Sequence, residues 1–142
     1  MNLILFISMY SAINGLDPNL VKAIIKVESN WNSQAVGRHN DLGLMQIRQH
    51  IVAPHRTKKE LLNPFVNVTE GIRHLGWTKK HCKHKVELSW LSCYNMGVSK
   101  ASSLKHPKEF DYVKKVRKVY YEYKRMDKLR NYRNILDVNF NY

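Results

Sequence analysis

The sequence predicts a mainly α-helical domain with at most a small β-hairpin. Apolar residues recur at three- and four-residue steps through most of the chain. Helix punctuation falls where those patterns stop and start, with Asn14-Gly15 as a stop and Asp17-Pro18 as a start. Residues 31–42 lack periodicity and are rich in Asn, Ser, Gln, Gly, Arg, His and Asp, so they read as a loop or short hairpin. The 142 residues fit a single domain spanning 1–142, large enough to bury one core.

Residues 3–13 are expected as an opening helix. The same apolar run also fits the hydrophobic region of a signal peptide, although no basic residue precedes it and it runs straight into Asn14-Gly15. A helix over 18–30 follows, with Asp17 as cap and Pro18 at its first position. Leu20, Val21, Ala23, Ile24, Ile25 and Val27 give it a wide apolar face. Gly43 to Ile47 should reopen regular structure as a helix continuing into 48–52. A basic connector over 53–60 ends at Leu61-Leu62-Asn63-Pro64. The next helix, 66–80, is expected to be capped by Asn67 or Thr69, with Val68, Ile72, Leu75 and Trp77 facing inward. After a turn at 81–85, a helix over 86–96 offers Val86, Leu88, Leu91 and Cys93 to the core, with Trp90 beside them. Residues 98–108 read as a loop. A long helix over 110–133 carries Phe110, Val113, Val116, Tyr120 and Tyr123 inward, and its basic residues, Lys114, Lys115, Arg117, Lys118, Lys124 and Arg125, make a solvated face. Residues 134–142 are expected as a loose tail.

The formal charge is +13, from 24 Lys+Arg against 11 Asp+Glu, which predicts an anionic partner or surface. No nucleic-acid-binding motif accompanies that charge. No stretch approaches the ~18 apolar residues that span a bilayer, so no integral membrane span is expected. Cys82 and Cys93 allow one optional bridge at most, a possibility if the protein is exported; paired core thiols are the expectation. The run His81-Cys82-Lys83-His84 has no zinc-ligand spacing, so no metal is expected.

Glu28 is the residue that stands out. It lies seven residues after Val21, four after Ile24 and three after Ile25, on their face of the helix, while Lys22 and Lys26 fall on the other side. Burial disfavours a charged carboxylate and raises its pKa, as a general acid near neutral pH requires. By spacing alone, the favoured reading of Glu28 is a partly exposed residue of the last turn with no role.

Four collinear segments then carry a resemblance. Ala23 to Asn32, followed by Ala35-Val36 and Gly43-Leu44-Met45-Gln46, resembles the catalytic core of the soluble lytic transglycosylase (SLT) family of lysozyme-like enzymes. That core is an apolar helix ending in Glu-Ser, an Ala-Val-Ser loop, and Gly-Leu-Met-Gln. Asn63-Pro64, Asn67, Gly71 and Leu75 are similar to a later helix of the family, Tyr94-Asn95-Met96-Gly97 resembles its Tyr-Asn-Ala-Gly motif, and Tyr112-Val113 with Val116 is similar to its closing helix. The match covers about residues 15–123.

The resemblance implies a lysozyme-like (goose-lysozyme/SLT type) helical domain. It would cleave the β-1,4 bond from N-acetylmuramic acid to N-acetylglucosamine in peptidoglycan glycan strands, leaving a 1,6-anhydro ring. Glu28 matches the family's single acid and base. Gln46 and Met45 match positions lining the sugar site, Tyr94 matches a cleft tyrosine, Asn95 shares its motif, and Ser29 follows the acid. For each of these, packing is the alternative. Gly37 stands where the family usually has a serine that helps to orient the substrate N-acetyl group. Asp41 and Leu42 replace small residues, Met96 replaces Ala, and Val98-Ser99 replaces Pro-Gly. Asp41 is the one acid of the 35–50 loop placed to be a second carboxylate, and Glu70 is expected as a solvated charge. No cofactor is implied. A monomer is expected in the periplasm or cell wall, or associated with a virion. A water-using muramidase and an inactive wall-binding module are the alternatives.

Overall fold

The computed structural model describes residues 1–139. Its elements are α1 (Leu3–Ile13), α2 (Pro18–Ser29), β1 (Asp41–Leu42), β2 (Ile47–Arg48), α3 (Gln49–Val52), α4 (Lys58–Leu61), α5 (Pro64–His81), α6 (Leu91–Met96), α7 (Val98–Ala101), a 3-10 turn (Pro107–Glu109) and α8 (Asp111–Asn139). The fold is helical with one two-stranded antiparallel sheet, in which Asp41 faces Arg48 and Leu42 faces Ile47.

Local chemistry sets the helix starts. Asp17 Oδ1 accepts the Asn19 N–H at 2.8 Å, and Pro18 occupies the first turn of α2. α2 stops at Asn30, which takes the left-handed conformation with φ 50°. Thr57 and Glu60 form a reciprocal capping box on α4, inside the stretch expected as a connector. α5 begins at Pro64, earlier than expected, because Asn63 is the cap: its Oδ1 accepts from Phe65 N–H at 3.0 Å and Val66 N–H at 3.3 Å. Asn67 therefore lies inside the helix.

α2 is the centre of the core. Val21, Ala23, Ile24 and Ile25 are fully buried. α8 packs along α2 through Val113 and Val116. Asp17 extends this seam, since its Oδ2 accepts from Tyr120 Oη at 2.9 Å and from Lys124 Nζ at 3.0 Å. α1 packs on α2 and α5 through Ile7, and the Phe6 and Phe65 rings meet edge to face at 5.2 Å. The opening helix is thus a packed element of the fold.

Several expectations need correction. Residues 43–46 are the hairpin turn rather than helix, because β1 and β2 pair across them. The helix expected over 86–96 is confined to Leu91–Met96; Val86 is exposed and residues 86–90 form turns. Trp77 faces solvent on α5 rather than the core. Glu70 is buried rather than solvated, and two arginines and a histidine surround it: Arg56 Nε at 2.8 Å, His55 Nε2 at 3.1 Å and Arg73 at 3.6 Å. These partners hold its carboxyl below the usual range despite burial. The segment 134–139 continues α8 as helix, and residues 140–142 of the expected tail lie outside the described residues.

The cysteines are a disulfide rather than paired thiols. Cys82 caps the end of α5, Cys93 lies in α6, and their Cα atoms are 6.0 Å apart. Closing so short a loop restricts the unfolded chain. Replacing both residues with Ser is expected to lower the unfolding free energy by about 2–3 kcal/mol in urea denaturation. An unchanged midpoint would show that the bridge contributes nothing to the fold.

Candidate active site

The hairpin turn is the piece against which the site is assembled. Gly43 has φ +71°, and a side chain there would run into the Asn67 amide, so only glycine fits. Leu44 and Met45 then turn into the core, buried to 1% and 0% exposure. Asn67 Oδ1 accepts the Met45 N–H at 2.8 Å, and its Nδ2 donates to the carbonyls of Leu42 and Leu61, both at 2.7 Å. From the opposite side, Tyr94 Oη donates to the Met45 carbonyl at 2.9 Å. The backbone on both sides of Met45 is therefore held by α5 and α6 together.

This arrangement shapes a cleft of about 760 Å³ with Glu28 in its lining. One wall is the hairpin, through Asp41, Gln46 and Arg48. The other is formed by His74 and Trp77 of α5 and by Tyr94 and Asn95 of α6. Burial pushes the Glu28 carboxyl up to about 7; the neighbouring Tyr112 hydroxyl opposes the rise and the Asp41 charge adds to it. Tyr112 Oη is buried and has no partner in good hydrogen-bond geometry, so the Glu28 carboxyl beside it is the acceptor within reach. Burial, then the charges of Glu28 and Asp41, hold Tyr94 well above the usual tyrosine value. Burial and Glu28 do the same for Tyr112, so both hydroxyls keep their protons. Burial lowers the His74 pKa and favours its neutral ring.

The residues expected at the site divide. Glu28, Gln46, Tyr94 and Asn95 line the cleft. The Met45 side chain does not reach it: the thioether is buried against Gly71, where any Cβ would overlap it. Met45 acts through its backbone instead. Ser29 Oγ donates to the Ile25 carbonyl at 3.1 Å, within its own helix. Gly37 packs over Gln46 and Asp41; a Cβ there would come within 2.5 Å of Gln46 Oε1 and 3.3 Å of Asp41 Cβ, so the missing side chain leaves that amide its place. Gln46 Nε2 donates to the Gly43 carbonyl at 3.0 Å, which fixes the amide in the turn.

Sequence reasoning did not place Tyr112, His74, Trp77 or Arg48 at the site: Tyr112 reads there only as part of the closing helix and Trp77 only as a core residue. Tyr112 had a signal in its place four residues before Val116 on the inward face of α8. Arg48 is defined only by pairing: its Nε bonds Asp41 Oδ1 at 2.9 Å across the hairpin.

A helical domain whose hairpin and central helix frame a cleft with one proton-holding glutamate is of the lysozyme-like class. The chain matches the model of the Transglycosylase SLT domain over residues 6–115, and it belongs to that family. It is similar to the endo-type membrane-bound lytic murein transglycosylase A of Salmonella paratyphi B and to the protein of the same name from Salmonella paratyphi A. Each is 35% identical over 72 residues, covering 44% of this chain and 36% of the relative. The chain thus spans about a third of the length of these relatives.

Two outcomes are expected. The carboxyl of Glu28 binds its proton more tightly when folded than at its unfolded value of 4.5. The stability this gives is complete below pH 4.5 and is lost as pH rises through about 7. Glu28→Gln, which cannot ionise, should therefore gain on wild type as pH rises, by at most roughly 3 kcal/mol above pH 7 in urea denaturation at pH 4 and pH 8. Equal differences at both pH values would mean an ordinary carboxyl. Asn67→Ala strips three buried backbone groups of their partners and should cost about 3 kcal/mol or more by the same measurement.

Proposed function

We propose that this domain is a lytic transglycosylase acting on peptidoglycan, cleaving the β-1,4 bond from N-acetylmuramic acid to N-acetylglucosamine with 1,6-anhydro ring formation. The observation that carries the reading is Glu28, a cleft carboxyl that burial holds protonated up to about pH 7. As acid it gives its proton to the glycosidic oxygen while the bond to the anomeric carbon breaks. As carboxylate it then takes the proton of the muramic acid C6 hydroxyl, whose oxygen bonds to the same carbon. No water is consumed, and Glu28 returns to its protonated state. Membership in the SLT family and the names of the Salmonella relatives support this reading. Gln46, Tyr94 and Asn95 are the sugar-facing polar groups of the proposal. The domain would act as a monomer on glycan strands in the periplasm or wall, or from a virion, with residues 1–142 as one catalytic unit.

Asp41 favours a second reading, hydrolysis. It lines the same cleft and is close enough to raise the Glu28 pKa. A second carboxylate is what a glycosidase uses to direct water. Its two oxygens are engaged by Arg48 Nε at 2.9 Å and Nη2 at 3.3 Å, which ties up the groups that a water would need.

Purified peptidoglycan digested by the protein and analysed by mass spectrometry should yield anhydro-muropeptides. Reducing ends would establish the muramidase, and no release the inactive module. Glu28→Gln is expected to lower release by at least about 100-fold while remaining folded, the scale of general acid catalysis. Near wild-type activity in that variant would remove Glu28 from the mechanism.

A further inference from the structure

The outer face of α1 has no partner in the fold. The helix holds no charged residue, and while Ile7 seats it in the core, its other side exposes Ile4, Leu5, Met9 and Ile13. Leu5 and Met9 are each 49% exposed and Ile13 77%; spaced four residues apart, they form one continuous apolar stripe. Cations stand beside it. A groove of about 640 Å³ joins Ile4, Leu5 and Ser8 to Lys22 of α2 and Arg130 of α8. Lys22 is half-buried; Lys26, one helical turn beyond it, is exposed, with its Nζ donating to Asn30 Oδ1. The acid in this groove, Asp127, is already engaged by Asn19 Nδ2 at 2.8 Å and Arg130 at 3.7 Å.

The partner must combine apolar depth with negative charge. A glycan or a nucleic acid offers nothing to cover Leu5, Met9 and Ile13. A second copy would bring the same lysines and arginine together, against a formal charge of +13 on each chain. An anionic bilayer surface meets both demands, because its acyl boundary accepts apolar side chains while its phosphates attract cations. We infer that the outer face of α1 docks on an anionic phospholipid surface, with Leu5, Met9 and Ile13 entering the headgroup layer and Lys22, Lys26 and Arg130 contacting the lipid phosphates. The attachment is peripheral, since α1 has 11 residues and, among the described residues, no helix is long and apolar enough to cross a membrane. No residue of α1 lines the Glu28 cleft, so docking leaves that cleft open.

Co-sedimentation with vesicles tests this independently of the proposed glycan chemistry. Wild type should bind phosphatidylglycerol/phosphatidylcholine vesicles at least about tenfold more tightly than pure phosphatidylcholine. Leu5→Ser/Met9→Ser/Ile13→Ser should lose about tenfold on the mixed vesicles, with an unchanged melting temperature and unchanged release from peptidoglycan. Lys22→Gln/Arg130→Gln should weaken binding to the mixed vesicles alone. The inference is overturned if wild type binds neither vesicle, or if the triple-serine variant binds as wild type does, which would leave only diffuse charge. It is equally overturned if wild type is a dimer in sedimentation equilibrium that the triple variant converts to a monomer, because the stripe would then be covered by a second copy.

Discussion

The side-chain amide of Asn67 is fully buried, and its hydrogen bonds to Met45, Leu42 and Leu61 join three separate segments of backbone. A buried peptide group without a partner is costly, so the hairpin turn and the end of α4 are tied to α5 at one point. Gly43 supplies the backbone shape that lets the amide enter, and Gly71 lets the Met45 side chain lie flat on α5. Tyr94 then donates to the Met45 carbonyl, in the next peptide along the chain. The two walls of the cleft are in this way tied to the backbone of one residue.

The closing wall depends on ionic and polar contacts made far apart in the chain. Asp17 caps α2 and also receives Tyr120 and Lys124, so the start of the central helix is fixed to the middle of α8. That seam brings Tyr112 to Glu28, a pairing of residues more than eighty positions apart. Glu70 has a comparable role for the strap of residues 53–57, holding His55 and Arg56 against α5. The Cys82–Cys93 bridge anchors the base of α6, one residue before Tyr94.

Much of the framework was legible locally. The limits of α1 and α2 follow from Asn14-Gly15 and Asp17-Pro18, because caps depend on residues within one turn. The inward face of α5 follows from the spacing of Val68, Ile72 and Leu75, all fully buried. The misreadings share a cause. Trp77 and Val86 have core-like chemistry but lie where no neighbour covers them. Glu70 looks like a surface charge until Arg56, Arg73 and His55 enclose it. The Gly43–Gln46 run looks helical by composition, but the pairing of Leu42 with Ile47 makes it a turn.

The sequence by itself determined the helical class, the capped central helix and the placing of Glu28 on its apolar face, since these depend on periodicity and short-range hydrogen bonds. The tertiary structure alone decided that Tyr112 and Asp41 flank that carboxyl, that Met45 contributes a peptide rather than a thioether, and that the two cysteines are joined. Each of these is a contact between segments distant in sequence, set by packing and by the satisfaction of buried polar groups, neither of which leaves a local pattern in the chain.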